Sequence, residues 1–419
     1  MRTAGRWLLG IVSVLALAAV IGAVTFQDRL LRLYNVLTLF DETRITRNFS
    51  SMDQLFESTK IPRAGGVRDL PERAAALPQH YRFAGRSRSI ADWLEQTRTT
   101  SLLVLRDGAI VHERYLLGTG REDRRISWSM AKSFLSALFG PVLADGRIRG
   151  LDDVVTRYVP ALAGTAYDGV TIRQVLQMAS GVKFNEDYLD FNSDINRMGR
   201  VLALGGSMDA FAAGLRERIR QPGVARQYTS IDTHVIGMVL RAATGKSLAT
   251  LMHETLWSRL GVEDDAVYLT DGFGVAFALG GLNLRTRDYA RFGQLMLDHG
   301  RIDGAQLVPA AWIDEAVRNS APVAAAPGSA FGYGYQWWVP PLADEGEFFA
   351  IGVYGQYLYV NRKARVVIVK TSSHRGFRND GARGERIRLE TIAMFREIAG
   401  ALSDWAVPET PDWRPPGAR

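Results

Sequence analysis

Residues 127–134 read SWSMAKSF, the front of an otherwise apolar run, MAKSFLSALFG, that ends at Gly140. A lysine is out of place there, because lysine is among the least buried residue types. It is also scarce: Lys60, Lys132, Lys183, Lys246, Lys363 and Lys370 are the only lysines among 51 Lys and Arg residues. Where charge alone is needed, this chain uses arginine, which keeps its proton, whereas a buried lysine can give its proton up. Lys132 is therefore read as present for its proton. Ser129 lies three residues earlier, and on a helix the two share a face with Cβ atoms about 5–6 Å apart. A desolvated amine there can take the proton of a serine hydroxyl and make it a nucleophile. The helix start adds a backbone N–H where an oxyanion would form. S-x-x-K alone is weak, because a capping serine and a lysine reaching for solvent give the same letters. Indeed SGVK (Ser180–Lys183) also fits, but its serine precedes a glycine at the end of a helical pattern, so that pair is read as coincidence.

A second segment, RQYTSIDTHVIGMVL, puts Tyr228 on a loop just before a helix (DTHVIGMVLRAATG) that Ser230 or Asp232 caps and Gly245 ends. A tyrosine beside a lysine can have its phenol pKa lowered and shuttle a proton. Taken alone, Tyr228 reads better as a core tyrosine, and Ser230 as a plain cap.

Together, S-x-x-K at the start of a buried helix, Y-x-S about a hundred residues later and a C-terminal strand pair resemble the penicillin-recognising serine hydrolases, the superfamily of class C β-lactamases and DD-peptidases. The likeness runs from about Thr100 to about Leu402. SWSMAKSFLSALFG, LQMASGVKFNEDY, QYTSIDTHVIG, GGLNLRTRDYARFGQLML and YGYQWW are similar to one branch, the 6-aminohexanoate-dimer hydrolases and their esterase-like relatives. The resemblance implies Ser129 as acylated nucleophile, Lys132 as its base and Tyr228 as the second acid/base residue. Ser230 would stand where asparagine is usual, and Tyr188 in FNEDY would face the substrate, unless it is an ordinary loop aromatic. The superfamily's third motif, Lys or His, then Thr or Ser, then Gly, has two candidates here. KTS (Lys370–Ser372) lacks the glycine, whereas VYG (Val353, Tyr354, Gly355) lies one strand earlier, where the motif belongs. With VYG, Gly355 permits close substrate approach and the Gln356 N–H is a second oxyanion donor. Val353 and Ser230 in place of the usual cation and asparagine speak against strong β-lactamase or DD-peptidase activity. The function implied is cleavage of a small-molecule amide or ester through an acyl-enzyme. The alternatives are a penicillin-binding protein of β-lactamase or DD-peptidase type and a non-catalytic ligand-binding protein.

The implied fold is α+β, an α/β sandwich: an antiparallel sheet of N- and C-terminal strands flanked by helices, with an all-helical subdomain. The residue pattern agrees. TSLLVLRDGAIVHERYLLG reads as two strands about a DG turn. FGYGYQWWV, GEFFAIGVYGQYLYVN and ARVVIVKTSS read as three more, the last two joined at NRKA, before an amphipathic helix, ERIRLETIAMFREIAGAL. GRIRGLDDVVTRYVPAL, VTIRQVLQMASG (ended by Gly181) and TRDYARFGQLMLDHG read as helices, and Gly140-Pro141 as a kink or stop.

The 419 residues are 47% hydrophobic and 23% charged, as in folded globular chains. The net charge of +7 is spread among acids without a basic block, which argues against nucleic acid. There is no cysteine and no metal-ligand spacing among the six histidines, so neither a disulfide, a metal nor another cofactor is expected. Trp7–Phe26 carries no charge over twenty residues and follows two arginines. It is read as an uncleaved membrane anchor that places the rest in the periplasm or outside, with secretion after signal cleavage as the alternative. The chain then divides into a cytoplasmic stub and anchor (1–27), a lead-in (28–80), the hydrolase domain (81–405) and a Pro-rich tail (406–419). Oligomeric state is not legible.

Overall fold

The computed structural model describes residues 31–325, 329–378 and 382–411, with scattered positions between 12 and 27. Most of the expected anchor lies outside the described residues; among those described, no single helix is long and apolar enough to cross a membrane.

The seven-stranded antiparallel sheet is built from both ends of the chain. Its strands are β1 (Thr99–Arg106), β2 (Ala109–Tyr115), β3 (Gly332–Tyr333), β4 (Trp338–Val339), β5 (Glu347–Gly352), β6 (Gln356–Asn361) and β7 (Val366–Ser372), in the order β3-β4-β5-β6-β7-β1-β2. The predicted DG turn joins β1 to β2, with Asp107 and Gly108 both at positive φ. Alternation sorts the strand residues. Leu102, Val104, Tyr357 and Ile368 pack with Leu389, Ile392 and Phe395 of the C-terminal helix, Ala382–Ala401. Leu103, Leu105, Leu358 and Val367 face the opposite way, into the larger cluster that holds the helix α1 (Ala131–Ala144). The layers are thus helix, sheet, helices, and the α+β reading holds.

Several expectations need correction. FGYGYQWWV is not one strand but the short hairpin β3–β4, paired Gly332↔Val339 and Tyr333↔Trp338. GEFFAIGVYGQYLYVN is not one strand but the hairpin β5–β6, registered from Glu347↔Asn361 to Gly352↔Gln356, with VYG as its turn. GRIRGLDDVVTRYVPAL forms no α-helix, only two 3-10 turns (Val155–Arg157 and Pro160–Leu162), because Val155 N–H bonds Val170 O at 2.9 Å across to the next segment. The helix expected to end at Gly181 is one short stretch, Ile172–Leu176, capped at its start by Thr171. Nor do Gly140 and Pro141 end α1. The helix runs to Ala144, and Gly140 gives way to the Trp312 ring, which a Cβ would meet at 2.4 Å.

Two further elements frame the site. The helix α2 (Ser230–Thr244) ends, as expected, at left-handed Gly245 and packs on α1. A four-stranded antiparallel sheet pairs Ser58–Ile61, Ala266–Leu269, Leu282–Arg285 and Arg124–Ile126 in that order. Leu39, Ile45, Phe49 and Met52, upstream of that first strand, are buried in the same apolar cluster as α1.

Candidate active site

Ser129 sits in a short 3-10 turn (Trp128–Met130) that runs directly into α1. Trp128, just before it, holds φ +44, a left-handed conformation uncommon for a bulky residue and of the kind found at functional turns. Lys132 follows one turn later and is 1% exposed. Its Nζ lies 2.9 Å from Ser129 Oγ, 3.2 Å from Ser230 Oγ and 2.9 Å from Leu279 O. An ammonium has three N–H donors, and these three oxygens use all of them. The neutral amine has two, which Ser230 and Leu279 can accept, and a lone pair that then points at the Ser129 hydroxyl. Burial brings the Lys132 pKa down to about 7, so both forms are populated near neutrality. That shift is opposed by the Glu186 carboxylate.

Glu186 has no counterpart in the sequence reading. It lies on the irregular segment before the helix Asp194–Ala203, and its carboxylate turns inward. Oε2 accepts the Ser230 N–H at 3.0 Å, while Oε1 accepts the Ser230 hydroxyl in a short bond and the Tyr188 phenol at 2.8 Å. Lys132, Ser230, Glu186 and Tyr188 therefore form one chain of hydrogen bonds. Burial raises the Glu186 pKa above the usual carboxylate range. Ser230 is the first residue of α2, not its cap: Thr229 holds the cap position and the Ser230 hydroxyl serves this chain instead.

Tyr228 stacks on Trp338 at 5.5 Å between centroids, and Lys132 Nζ lies 5.2 Å from its ring centre. Its phenol interacts with the hydroxyls of Ser129 and Ser230. The expectation of a lowered phenol pKa is wrong. Burial and the nearby Glu186 carboxylate push it well above its ordinary value, and the hydrogen bonds to Ser129 and Ser230 do not offset them. The two groups are driven apart: an amine ready to accept a proton and a phenol that keeps one. Such divergence is how neighbouring groups acquire base and acid roles.

The turn VYG is split in its placement. Gly352, at the end of β5, touches the Ser129 segment so closely that a Cβ would lie 2.3 Å from Ser127 O. Val353 lines the cavities on both sides of Ser129. Tyr354 is buried among Phe40 (4.7 Å), Phe49 (5.3 Å) and Trp128 (5.9 Å) and reaches only the smaller of the two. Gly355 and Gln356 face away from both. Gly355 lies against Ser372 and Lys370, and the Gln356 amide clasps the Ser372 backbone with bonds of 2.8 and 3.0 Å. Gly355, expected to let substrate approach, lines neither cavity, and the close approach at this turn is that of Gly352 to the Ser129 segment.

One cavity of about 630 Å³ is lined by Ser129, Glu186, Tyr188, Tyr228, Trp338 and Arg388 among others. A second, of about 310 Å³, shares Ser129, Tyr188, Leu189 and Val353 with it. Among the described residues no group of three or more His, Asp or Glu is placed to hold a metal ion.

The Beta-lactamase family model matches residues 88–392. The chain is 31% identical over 338 residues to the 6-aminohexanoate-dimer hydrolase of Paenarthrobacter ureafaciens, covering 78% of this chain and 84% of that one. A solved structure from Bacillus anthracis, provisionally named a 6-aminohexanoate-dimer hydrolase, superposes with TM-score 0.77 at 25% identity, over 87% of this chain and 96% of that one. The octameric penicillin-binding protein homologue of Pyrococcus abyssi shares the fold, with TM-score 0.55 at 16% identity over 75% of each chain. The chain belongs to the Beta-lactamase family and is a hydrolase of its 6-aminohexanoate-dimer hydrolase-like branch.

Proposed function

We propose that this hydrolase cleaves a small-molecule amide or ester through an acyl-enzyme on Ser129. Neutral Lys132 takes the Ser129 proton as Oγ attacks the acyl carbon. The tetrahedral oxyanion is assigned to the backbone N–H groups of Ser129 and Val353, in the two segments that Gly352 lets meet. Tyr228 protonates the leaving nitrogen or oxygen and is reprotonated from Lys132. Water then attacks the acyl-enzyme, giving a proton back through the same groups, and the acid departs from a regenerated Ser129. Glu186, through Ser230, orients Lys132 and sets how readily it loses its proton. The observation that carries this reading is the placement of Lys132 Nζ: fully buried, with two fixed acceptors and Ser129 Oγ as the third contact at 2.9 Å.

The test is intact-protein mass spectrometry with a fluorophosphonate, a short-chain nitrophenyl ester and a penicillin, with Ser129→Ala alongside. A Ser129-dependent phosphonate adduct with ester turnover and no lasting penicillin adduct is expected. A stable penicillin adduct would instead assign a penicillin-binding protein, and no adduct at all a cleft that only binds. The charge-free run Trp7–Phe26 behind two arginines supports a membrane-anchored enzyme working outside the cytoplasm. Membrane fractionation with protease protection checks that placement.

A further inference from the structure

The two cavities that meet at Ser129 differ in chemistry. The larger one carries Glu186, Tyr228, Glu385 and Arg388. The smaller is walled by apolar side chains, Phe40, Phe56, Ile195, Met198 and Phe277 among them. Tyr228 lines the first and not the second. This asymmetry orients a substrate. If Tyr228 protonates the leaving group, that group sits in the cavity that carries Glu385 and Arg388, and the acyl chain attached to the same carbonyl must extend the other way. The other way is the apolar cavity. Exposed Leu37 and Phe191 stand on its lining, Leu189 is shared between the two cavities, and Arg200 lies 4.0 Å over the Phe191 ring while donating to Phe191 O.

We infer that the 310 Å³ cavity is an acyl-chain pocket, so that the preferred substrates are esters or amides of a medium-length fatty acid with a polar leaving group. The inference rests on the acyl-enzyme reading above. At roughly 30 Å³ per heavy atom, the size of a water in the liquid, the cavity holds about ten atoms of chain. In the acylation step the bond from the carbonyl carbon to the leaving atom breaks, the bond to Ser129 Oγ forms, and the chain stays in the apolar pocket while the protonated leaving group departs through the larger cavity.

Gly199 supplies a test. It lines this cavity from the middle of the helix Asp194–Ala203, and a Cβ there meets nothing within 4 Å. Replacing glycine inside a helix favours the helix by about 1 kcal/mol where space permits, so Gly199→Leu should fold. A series of nitrophenyl esters from acetate to dodecanoate is measured below the concentration at which each aggregates. In the wild type kcat/KM should rise about fourfold per methylene, the fold-change equivalent to ~0.8 kcal/mol, and level off near ten carbons. In Gly199→Leu the four added side-chain atoms should move that limit about four carbons shorter. A parallel series of alkyl fluorophosphonates on the wild type alone should show inactivation at Ser129 quickening with chain length, a readout that needs no variant. Presenting the decanoyl ester free and embedded in phosphatidylcholine vesicles then tells whether the chain is drawn from solution or from a bilayer; preference for either supports the pocket. A profile flat or falling from acetate onward, or one unchanged in Gly199→Leu, overturns it. If Ser129-dependent turnover is absent with every ester, the acyl-enzyme reading itself fails, a result distinct from turnover that ignores chain length.

Discussion

The chain writes S-x-x-K twice and folds the two copies into opposite surroundings. Lys132 is buried with its amine on Ser129 and its pKa brought down to about 7. Lys183 has a side chain 58% exposed, pairs with Glu217 at 2.7 Å and has its pKa raised by that carboxylate. Ser180, left without the lysine, takes a structural post: its hydroxyl accepts the Val182 N–H and interacts with buried Asp232 of α2. The difference lies in the backbone. Ser129 and Lys132 are joined by continuous helical turns, whereas Gly181, at φ +74, breaks the path between Ser180 and Lys183. A motif becomes a site only where the intervening residues are helical and the amine is denied water.

The contrast breaks first at Lys132. Lys132→Met, close in shape and without a proton to exchange, should lower kcat/KM by roughly 10³-fold or more, the scale of a lost general base. Lys132→Arg should lose as much despite keeping the charge. Lys183→Ala should leave turnover where it was. Comparable losses at both positions, measured with one nitrophenyl ester, would remove the distinction. In the wild type kcat/KM should climb as pH rises through about 7, because deprotonated Lys132 is the active form. No fall from Tyr228 follows within the alkaline range, since its phenol is pushed above its ordinary value.

Tyr228→Phe should cost less, roughly 10²-fold. The loss should be greater for an amide than for a nitrophenyl ester, whose leaving group departs without a proton. Equal losses on both substrates would take the acid role away from Tyr228. Glu186→Gln should act on the pH profile more than on its height. The Glu186 charge raises the Lys132 pKa, so its removal should carry the acid limb to lower pH. An immobile limb would show that Lys132 does not feel Glu186.

The residues that sequence alone made legible are those tied by short-range geometry. Ser129 and Lys132 are fixed by helical spacing, and the position of Tyr228 by the start of α2 two residues later. The hairpin at Asp107-Gly108 is fixed by its turn letters. Glu186 was invisible because its partner Ser230 is 44 residues away and the segment between has no period that would bring them together. GRIRGLDDVVTRYVPAL misled for the opposite reason. Leu151, Val155, Tyr158, Val159 and Leu162 fall at helical spacing, yet Val154 pairs instead with Thr171 in a β-bridge. Tertiary pairing overrode local propensity. The β5–β6 turn was only half marked: Gly355, at φ +87, is the glycine such a turn favours, but Tyr354 beside it, at φ +65, is not a residue that sequence marks for a left-handed turn.

Lys370 sharpens the comparison most finely, because it shares burial with Lys132 and lacks access. It is fully buried, donates to Ser372 Oγ at 2.5 Å, and desolvation alone brings its pKa down to about 7, yet it lines neither cavity at Ser129. The folded amine is thus harder to protonate than the unfolded one, whose ordinary value is 10.5. Between pH 7 and about 10 the unfolded chain binds the extra proton, so this lysine makes stability rise with pH by up to about 1.4 kcal/mol per unit, the full slope of one proton. Lys370→Met should therefore raise the melting temperature at pH 7, flatten that pH dependence by one proton, and change ester turnover by no more than severalfold. Thermal unfolding at pH 7 and 9 beside one kinetic assay decides it. If Lys370→Met instead loses activity on the scale of Lys132→Met, a lowered pKa at the VYG turn matters to the chemistry, and burial beside a serine would suffice without an open path to substrate.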